Sequence, residues 1–396
     1  MARLSETRRK VAGGGPHWRR IAGKAAQAPC RGGPRAVAEA GLGPEQGAAG
    51  AQFASGRDVG RKAINLDLSM KDVARLAGVS TMTVSRAMRS PDMVSPETLA
   101  RVQRAIEQSG YVPNRVAGSL SSNRTTLVAL IVPSLRNALY TEMIQGISDV
   151  LTRHGFQLMI SDSRYSLEQE EQLIAAYVAQ RVCGIILHNT RHTPRAAQVL
   201  RQSGITCIET GNLVAHPVDI AVSYSNYAVG AAMAEHLVGL GYRRLGFASL
   251  TVRNNDRLRE RRRGFIMRLR KLGVEIDPAL VLEVEPGLES GSRALARIVE
   301  TDPRVNAVFF AGDVLAAGAI FECQRRGLDV PGRIAVAASD DSDLMQHMIP
   351  PLTTVRFPRY EIGVRSAELI IARNMGVADG VRTVDMGFEV IRRGST

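Results

Sequence analysis

Apolar residues recur along this chain in two rhythms. Between residues 72 and 112 they fall three and four positions apart: Val73, Ala74 and Leu76, then Val84 and Ala87, then Leu99, Val102 and Ile106. That spacing predicts three short helices. Asp72 is expected to begin the first, and Gly78 to end it in a left-handed conformation. Ser80 is placed to cap the second, and Ser95-Pro96-Glu97 starts the third. From Leu127 the rhythm changes to short continuous apolar runs, which read as strands covered on both faces. They fall at 127–132, 156–160, 182–187, 205–208, 219–222, 245–248, 281–284, 307–310 and 334–338. Helical patterns alternate with them, among others at 167–180, 226–239, 257–272, 289–300 and 313–326. Repeated strand–helix–strand units imply parallel sheets with right-handed crossovers. About ten strands exceed one ordinary sheet, so two lobes are expected.

The first two helices are joined by a tight AGVS turn and continue as TVSR, an arrangement that reads as a helix-turn-helix. Val84 and Ala87 face inward, which leaves Thr81, Met82, Ser85 and Arg86 outward. A second helix used in this way offers its N-terminal residues to base edges in the major groove. Spacing alone would also suit any three-helix mini-domain; the turn sequence favours the DNA-reading one.

Charge agrees. The chain of 396 residues carries +13 overall, unevenly spread. Residues 1–68 hold 12 basic and 5 acidic side chains, residues 69–126 hold 8 and 4, and residues 127–396 hold 31 and 29. A basic front on a nearly neutral body suits a partner made of phosphates. The first 66 residues, rich in Gly, Ala, Arg and Pro, cannot bury enough surface to offset their ordering entropy. They read as a disordered basic extension, with a start-codon artefact and a basic arm touching the DNA flanks as the two accounts left open. No apolar run long enough for a membrane span is found. Cys30, Cys183, Cys207 and Cys323 lie far apart and read as free thiols in a reducing cytoplasm.

The run from Asp72 to Arg86, with Val94-Ser95, Gly110-Tyr111, Pro113-Asn114, Ala117 and Leu120, closely resembles the headpiece of the LacI/GalR family of bacterial regulators. The resemblance extends through the body nearly to the chain end. It implies an all-α helix-turn-helix headpiece (69–113), a hinge (114–125), and an α/β core (127–396) similar to periplasmic binding proteins, with two doubly wound parallel-sheet lobes. The N-lobe would take 127–224 and 355–382; the C-lobe would take 225–354 and 383–396. It further implies that Thr81 and Met82 touch bases, that Thr83, Ser85, Arg86 and Ser95 serve the same DNA-binding face, and that the hinge, with Asn114, Ala117 and Leu120, enters the minor groove. Leu120 would be the wedge that kinks the duplex. For an effector between the lobes, the matching positions are Ser134, Asn137, Tyr140, Arg164, Glu209, Arg261, Asp340 and Arg359.

Two positions depart from the family pattern. Gly312-Asp313 stands where Asn-Asp is usual, and Ser339 replaces an aromatic before Asp340-Asp341. Segments such as HTPR (192–195), FECQRRGL and PRYEIG are similar to the gluconate-operon repressor branch, which implies a sugar-acid effector. Arginine forks suit a carboxylate; Asp, Glu and Asn suit hydroxyls. The implied partners are a palindromic operator in double-stranded DNA, a sugar or sugar acid, and a second copy of the chain. A dimer rather than a tetramer is expected, since no heptad tail follows the last strand. No cofactor, metal or membrane is implied.

An enzyme reading has little support: no Lys precedes Ser or Thr, and neither H-E-x-x-H nor G-x-S-x-G occurs. His192 precedes Thr-Pro and is expected in a loop, so it makes no metal pair with His188. A transport protein built on the same body would lack the head. Corepressor control and a non-sugar ligand remain the alternatives to an inducer-released repressor.

Overall fold

The computed structural model describes residues 68–112, 125–377 and 380–396. The basic extension expected at 1–66 and the hinge residues Asn114, Ala117 and Leu120 lie outside the described residues.

The head is three helices: α1 (Met70–Ala77), α2 (Thr81–Arg89) and α3 (Pro96–Ser109), with a 3₁₀ turn at Pro91–Met93. Helix α1 starts two residues before the expected Asp72. The Asp72 carboxylate instead reaches back to accept from Ser69 N (3.0 Å) and Ser69 Oγ (2.6 Å). That partners a backbone donor which no turn of the helix could reach. Gly78 ends α1 at φ 63°. Ser80 Oγ accepts from Thr83 N at 3.0 Å and Ser95 Oγ from Thr98 N at 3.4 Å, so both expected caps form. Val73, Val84, Val102 and Tyr111 are buried together at the centre.

The body holds two parallel sheets. The first runs in the order β2-β1-β3-β4-β5-β11, with β1 (Leu127–Val132), β2 (Gln157–Asp162), β3 (Gly184–Leu187), β4 (Thr206–Glu209), β5 (Ile220–Ser223) and β11 (Thr383–Asp385). The second runs β7-β6-β8-β9, with β6 (Leu245–Leu250), β7 (Val281–Val284), β8 (Ala307–Phe310) and β9 (Ala335–Ala338). A short antiparallel ribbon pairs β10 (Thr354–Arg356) with β12 (Glu389–Ile391). The alternation of strand side chains explains the continuous apolar runs. In β1, Val128, Leu130 and Val132 enter one core while Ala129 and Ile131 enter another. In β8, Ala307 and Phe309 point to the first core and Val308 and Phe310 to a third.

One lobe boundary needs correction. Residues 383–385, expected in the second lobe, form β11 and pair in parallel with Ala221–Ser223 of β5. The crossover therefore comes after Asp385. The chain end then docks on the second lobe, where Ser395 bonds Val336 and Thr353.

The helices of the body are α4 (Thr141–Arg153), α5 (Leu167–Ala179), α6 (Pro194–Ser203), α7 (Asn226–Gly239), α8 (Asp256–Lys271), α9 (Leu288–Thr301), α10 (Asp313–Arg326), α11 (Leu344–His347) and α12 (Arg359–Asn374). Helices α7 and α8 pack tightly because each presents a glycine to the other. A Cβ on Gly230 would stand 1.9 Å from Arg261 O, and one on Gly264 would stand 1.9 Å from Tyr227 O. This crossing holds Arg261 at a fixed depth on α8.

Candidate nucleic-acid interface and ligand cleft

On the head, α2 buries Val84 and Ala87 and turns Thr81, Met82 and Arg86 outward. Met82 is 69% exposed, a large apolar side chain on the surface of a nine-residue helix. Thr83 and Ser85 are half-buried. The hydroxyls of Thr83 and Ser80 lie 2.9 Å apart, so Thr83 is part of the helix cap as well as of this face. Ser95, an expected DNA contact, is exposed at the start of α3, with its hydroxyl donating to Thr98 Oγ1 at 2.9 Å.

In the body, the carboxyl ends of the two sheets supply one cluster of charged and aromatic side chains. This is where open α/β sheets bind ligands. Arg261 on α8 is 3% exposed. It donates to Asn226 Oδ1 at 2.8 Å and Ser339 Oγ at 2.5 Å, and lies 3.5 Å from Asp340 Oδ2. Its Nε is buried with no hydrogen-bond partner among the described residues. Arg359, at the start of α12, donates to Asp340 Oδ1 at 2.7 Å. Asp340 follows β9 with φ 75°, a backbone conformation that side chains rarely adopt, and strain of this kind gathers at ligand clamps. Tyr224 and Phe357 stack with centroids 4.0 Å apart, and both guanidinium groups lie 5.3 Å from the Phe357 ring. These contacts give the cluster a flat apolar floor edged with cations.

The titrations follow from the packing. Burial and the neighbouring Asp340 charge raise Asp313, at the start of α10, to about 6. Burial, then Arg257 and Arg359, hold His188 well below its ordinary value, so it is neutral. Burial pushes the Tyr140 phenol up; its ring meets His188 edge-on at 4.8 Å.

Of the eight expected effector residues, Tyr140, Arg261, Asp340 and Arg359 come together here. The others are placed differently. Ser134 Oγ accepts from Arg136 N at 3.2 Å and Asn137 Oδ1 from Leu139 N at 3.0 Å, so both shape their own loop. Arg164 is exposed, with φ 50°. Glu209 is buried, and both of its oxygens are taken by protein groups, His192 Nε2 at 3.2 Å and Val218 N at 2.6 Å. Each of its oxygens already accepts one bond, which its position along β4 did not reveal.

Arg257 was not expected. It is buried in the first turn of α8 and crosses to the other lobe, donating through Nη1 to His188 O (2.6 Å) and Asn189 Oδ1 (2.7 Å). All its bonds to described residues run through Nη1, which leaves Nε and Nη2 uncommitted. The signal was masked in sequence by the run of arginines around it.

These geometries belong to a recognisable whole. The model for bacterial regulatory proteins of the lacI family matches residues 69–114, and the periplasmic binding protein-like domain matches residues 234–396. The HTH-type transcriptional regulator GntR of Pseudomonas aeruginosa is 36% identical over 342 residues, which cover 86% of this chain and 97% of that protein. The chain belongs to the LacI family. GntR of Escherichia coli is 31% identical over 326 residues, covering 82% of this chain and 98% of that one. A LacI family regulator from Silicibacter pomeroyi has a crystal structure with TM-score 0.78 and 33% identity, covering 83% of this chain and 99% of that one. The regulator thus combines a DNA-binding head with a periplasmic-binding-like core, and its relatives are transcriptional regulators, not enzymes. Among the described residues no helix is long and apolar enough to cross a membrane.

Proposed function

We propose that this chain represses a sugar-acid utilisation operon, acting in the cytoplasm as a homodimer on a palindromic operator and controlled by a sugar acid bound between the lobes. The observation that carries the effector reading is the surplus of guanidinium donors in the cluster. Arg261 Nε is buried without a partner, and Arg257 keeps one edge uncommitted. An unpaired buried donor costs about 1–3 kcal/mol, which a ligand carboxylate would recover. Asp313, Asp340 and the neutral His188 offer acceptors for hydroxyls, and the Tyr224–Phe357 stack offers an apolar face for a carbon chain. The similarity to GntR regulators supports gluconate as the first compound to try.

On the DNA side, exposed Thr81 and Met82 are the base-reading pair, with Thr83, Ser85, Arg86 and Ser95 on the backbone or on shared bases. One such helix reads one half-site, so a two-fold pair reads a palindrome. Asn114, Ala117 and Leu120 extend this reading into the minor groove. Calorimetric titration with gluconate, a neutral sugar and a dicarboxylate tests the effector class. Preference for gluconate supports the reading, and equal binding of the neutral sugar removes its basis.

A further inference from the structure

A buried ionic network stands behind the cleft. His192, between β3 and α6, has a side chain only 3% exposed. Its Nδ1 lies 2.6 Å from Glu170 Oε1 and its Nε2 lies 3.2 Å from Glu209 Oε1. The second oxygen of each carboxylate is also bonded: Glu170 Oε2 accepts from Asn189 Nδ2 at 2.7 Å and Glu209 Oε2 from Val218 N at 2.6 Å. Asn189 then passes its Oδ1 to Arg257 of the other lobe. Beside it, the Thr190 hydroxyl donates to Asp256, the residue before Arg257. One connected path therefore runs from β4 through His192 and the first turn of α5 to the loop after β3, and across the cleft to α8.

The chemistry of each link fixes its direction. A carboxylate only accepts and a guanidinium only donates, so Asn189 has one usable orientation, with NH₂ toward Glu170 and oxygen toward Arg257. A flipped amide would lose both bonds. His192 must donate from both nitrogens to satisfy two buried carboxylates, which requires the imidazolium. A neutral ring donates once, and its other nitrogen then sets a lone pair against a buried carboxylate oxygen.

We propose that Glu170, His192 and Glu209 form a positioning unit that fixes Asn189 and, through it, Arg257, clasping the two lobes and aiming the free edge of Arg257 at the effector. The clasp itself stands on geometry; its use by an acidic effector rests on the function proposed above. Protonation supports it. Burial lowers the His192 pKa, but the bonds to Glu170 and Glu209 outweigh it and raise it to about 9. Among the other ionisable groups around the network, Glu171 accepts from the Thr193 hydroxyl and pairs with Arg195 at 3.5 Å. The buried Cys207 thiol of β4 is pushed far up and stays neutral, and Asp219 is held by Arg373 at 2.8 Å. Arg257 is bonded by Asn189 Oδ1 and by the backbone of the same loop at His188 O (2.6 Å), and it sits beside Asp256, which takes the Thr190 hydroxyl. The folded pKa lies above the ordinary 6.5, so the clasp is intact at neutral pH and is lost as pH rises through about 9.

The test needs no ligand. Amide hydrogen exchange of the full chain is followed at 188–193 and 256–262, from about pH 7 to about pH 10 with the intrinsic base-catalysed rate divided out, with 307–310 as internal control. His192→Gln and, as a milder change outside the charged unit, Asn189→Ala are each expected to speed exchange in both segments about tenfold at neutral pH, the size of coupling within one bonded network. Wild type should acquire the same pattern as the pH passes about 9, and His192→Gln should show no such step. Acceleration confined to 188–193, with α8 unmoved in both variants, would overturn the proposal. So would a step that survives in His192→Gln. In a second arm, gluconate affinity should fall about tenfold in His192→Gln but not further when Arg257→Gln is already present. Failure of wild type to bind gluconate would overturn the effector reading, while the exchange data still decide the clasp.

Discussion

Replacing Arg261 by methionine tests the cleft at its most connected side chain. Methionine keeps much of the aliphatic volume and removes the guanidinium. Asp340 would remain bonded to Arg359 at 2.7 Å, so no carboxylate is orphaned. Two neutral acceptors, Asn226 Oδ1 and Ser339 Oγ, lose their donor, at about 1–3 kcal/mol each. Against this, a buried cation that costs several kcal/mol to desolvate is gone. The terms largely offset, and we expect a net loss of only about 1–2 kcal/mol of stability. Nothing offsets the loss at the ligand. A charge-assisted bond of about 1.5–3 kcal/mol disappears, so gluconate should bind roughly 10- to 150-fold more weakly. Urea unfolding and calorimetric titration of the same preparation separate the two effects. A decline in affinity of less than about threefold, or a stability loss above about 4 kcal/mol, would show that Arg261 holds the fold rather than the ligand.

Exchanging Thr81 and Met82 for other residues should change which duplex is selected from a random pool, at about 1–3 kcal/mol per base contact, with fold and effector binding untouched. Asp313→Asn should flatten the pH dependence of stability between about pH 4 and pH 6. The folded pKa of about 6 lies above the ordinary 3.8, so wild type loses stability as pH rises through that window and regains it on protonation. Gly230→Ala, whose Cβ would fall 1.9 Å from Arg261 O, should cost about 1–3 kcal/mol on thermal unfolding and weaken effector binding by displacing α8.

The head was legible because its determinants are local. A glycine at positive φ, two serine caps and a buried valine on each helix are all readable within a few residues. The central strands were legible because burial on both faces demands an unbroken apolar run. The three short strands β10, β11 and β12 were not. They are edge or ribbon pieces with polar and exposed positions, and tertiary pairing alone defines them. In the cleft, resemblance named Arg261, Asp340 and Arg359, which the fold brings together. It also named Glu209, and position along β4 does not reveal that His192 and Val218 bond its two oxygens. Ser339 replaces an expected aromatic, and the structure gives a reason: its small hydroxyl receives Arg261, while Phe357 with Tyr224 supplies the aromatic face. Arg257 and His192 stayed hidden for opposite reasons. One sits in a run of arginines whose burial the sequence does not distinguish, and the other stands before Thr-Pro in what reads as a solvent loop. Their meaning lies in contacts to residues 68 and 22 positions away.

The most direct measurement is binding of the chain to a duplex it has itself selected, followed by fluorescence anisotropy with and without gluconate at fixed salt. The account predicts a palindromic selected sequence, a two-to-one protein-to-duplex ratio, and an operator affinity that gluconate weakens at least about tenfold, equivalent to about 1.4 kcal/mol of coupling. Sequence-independent binding, or an isotherm that gluconate leaves unchanged, would contradict it.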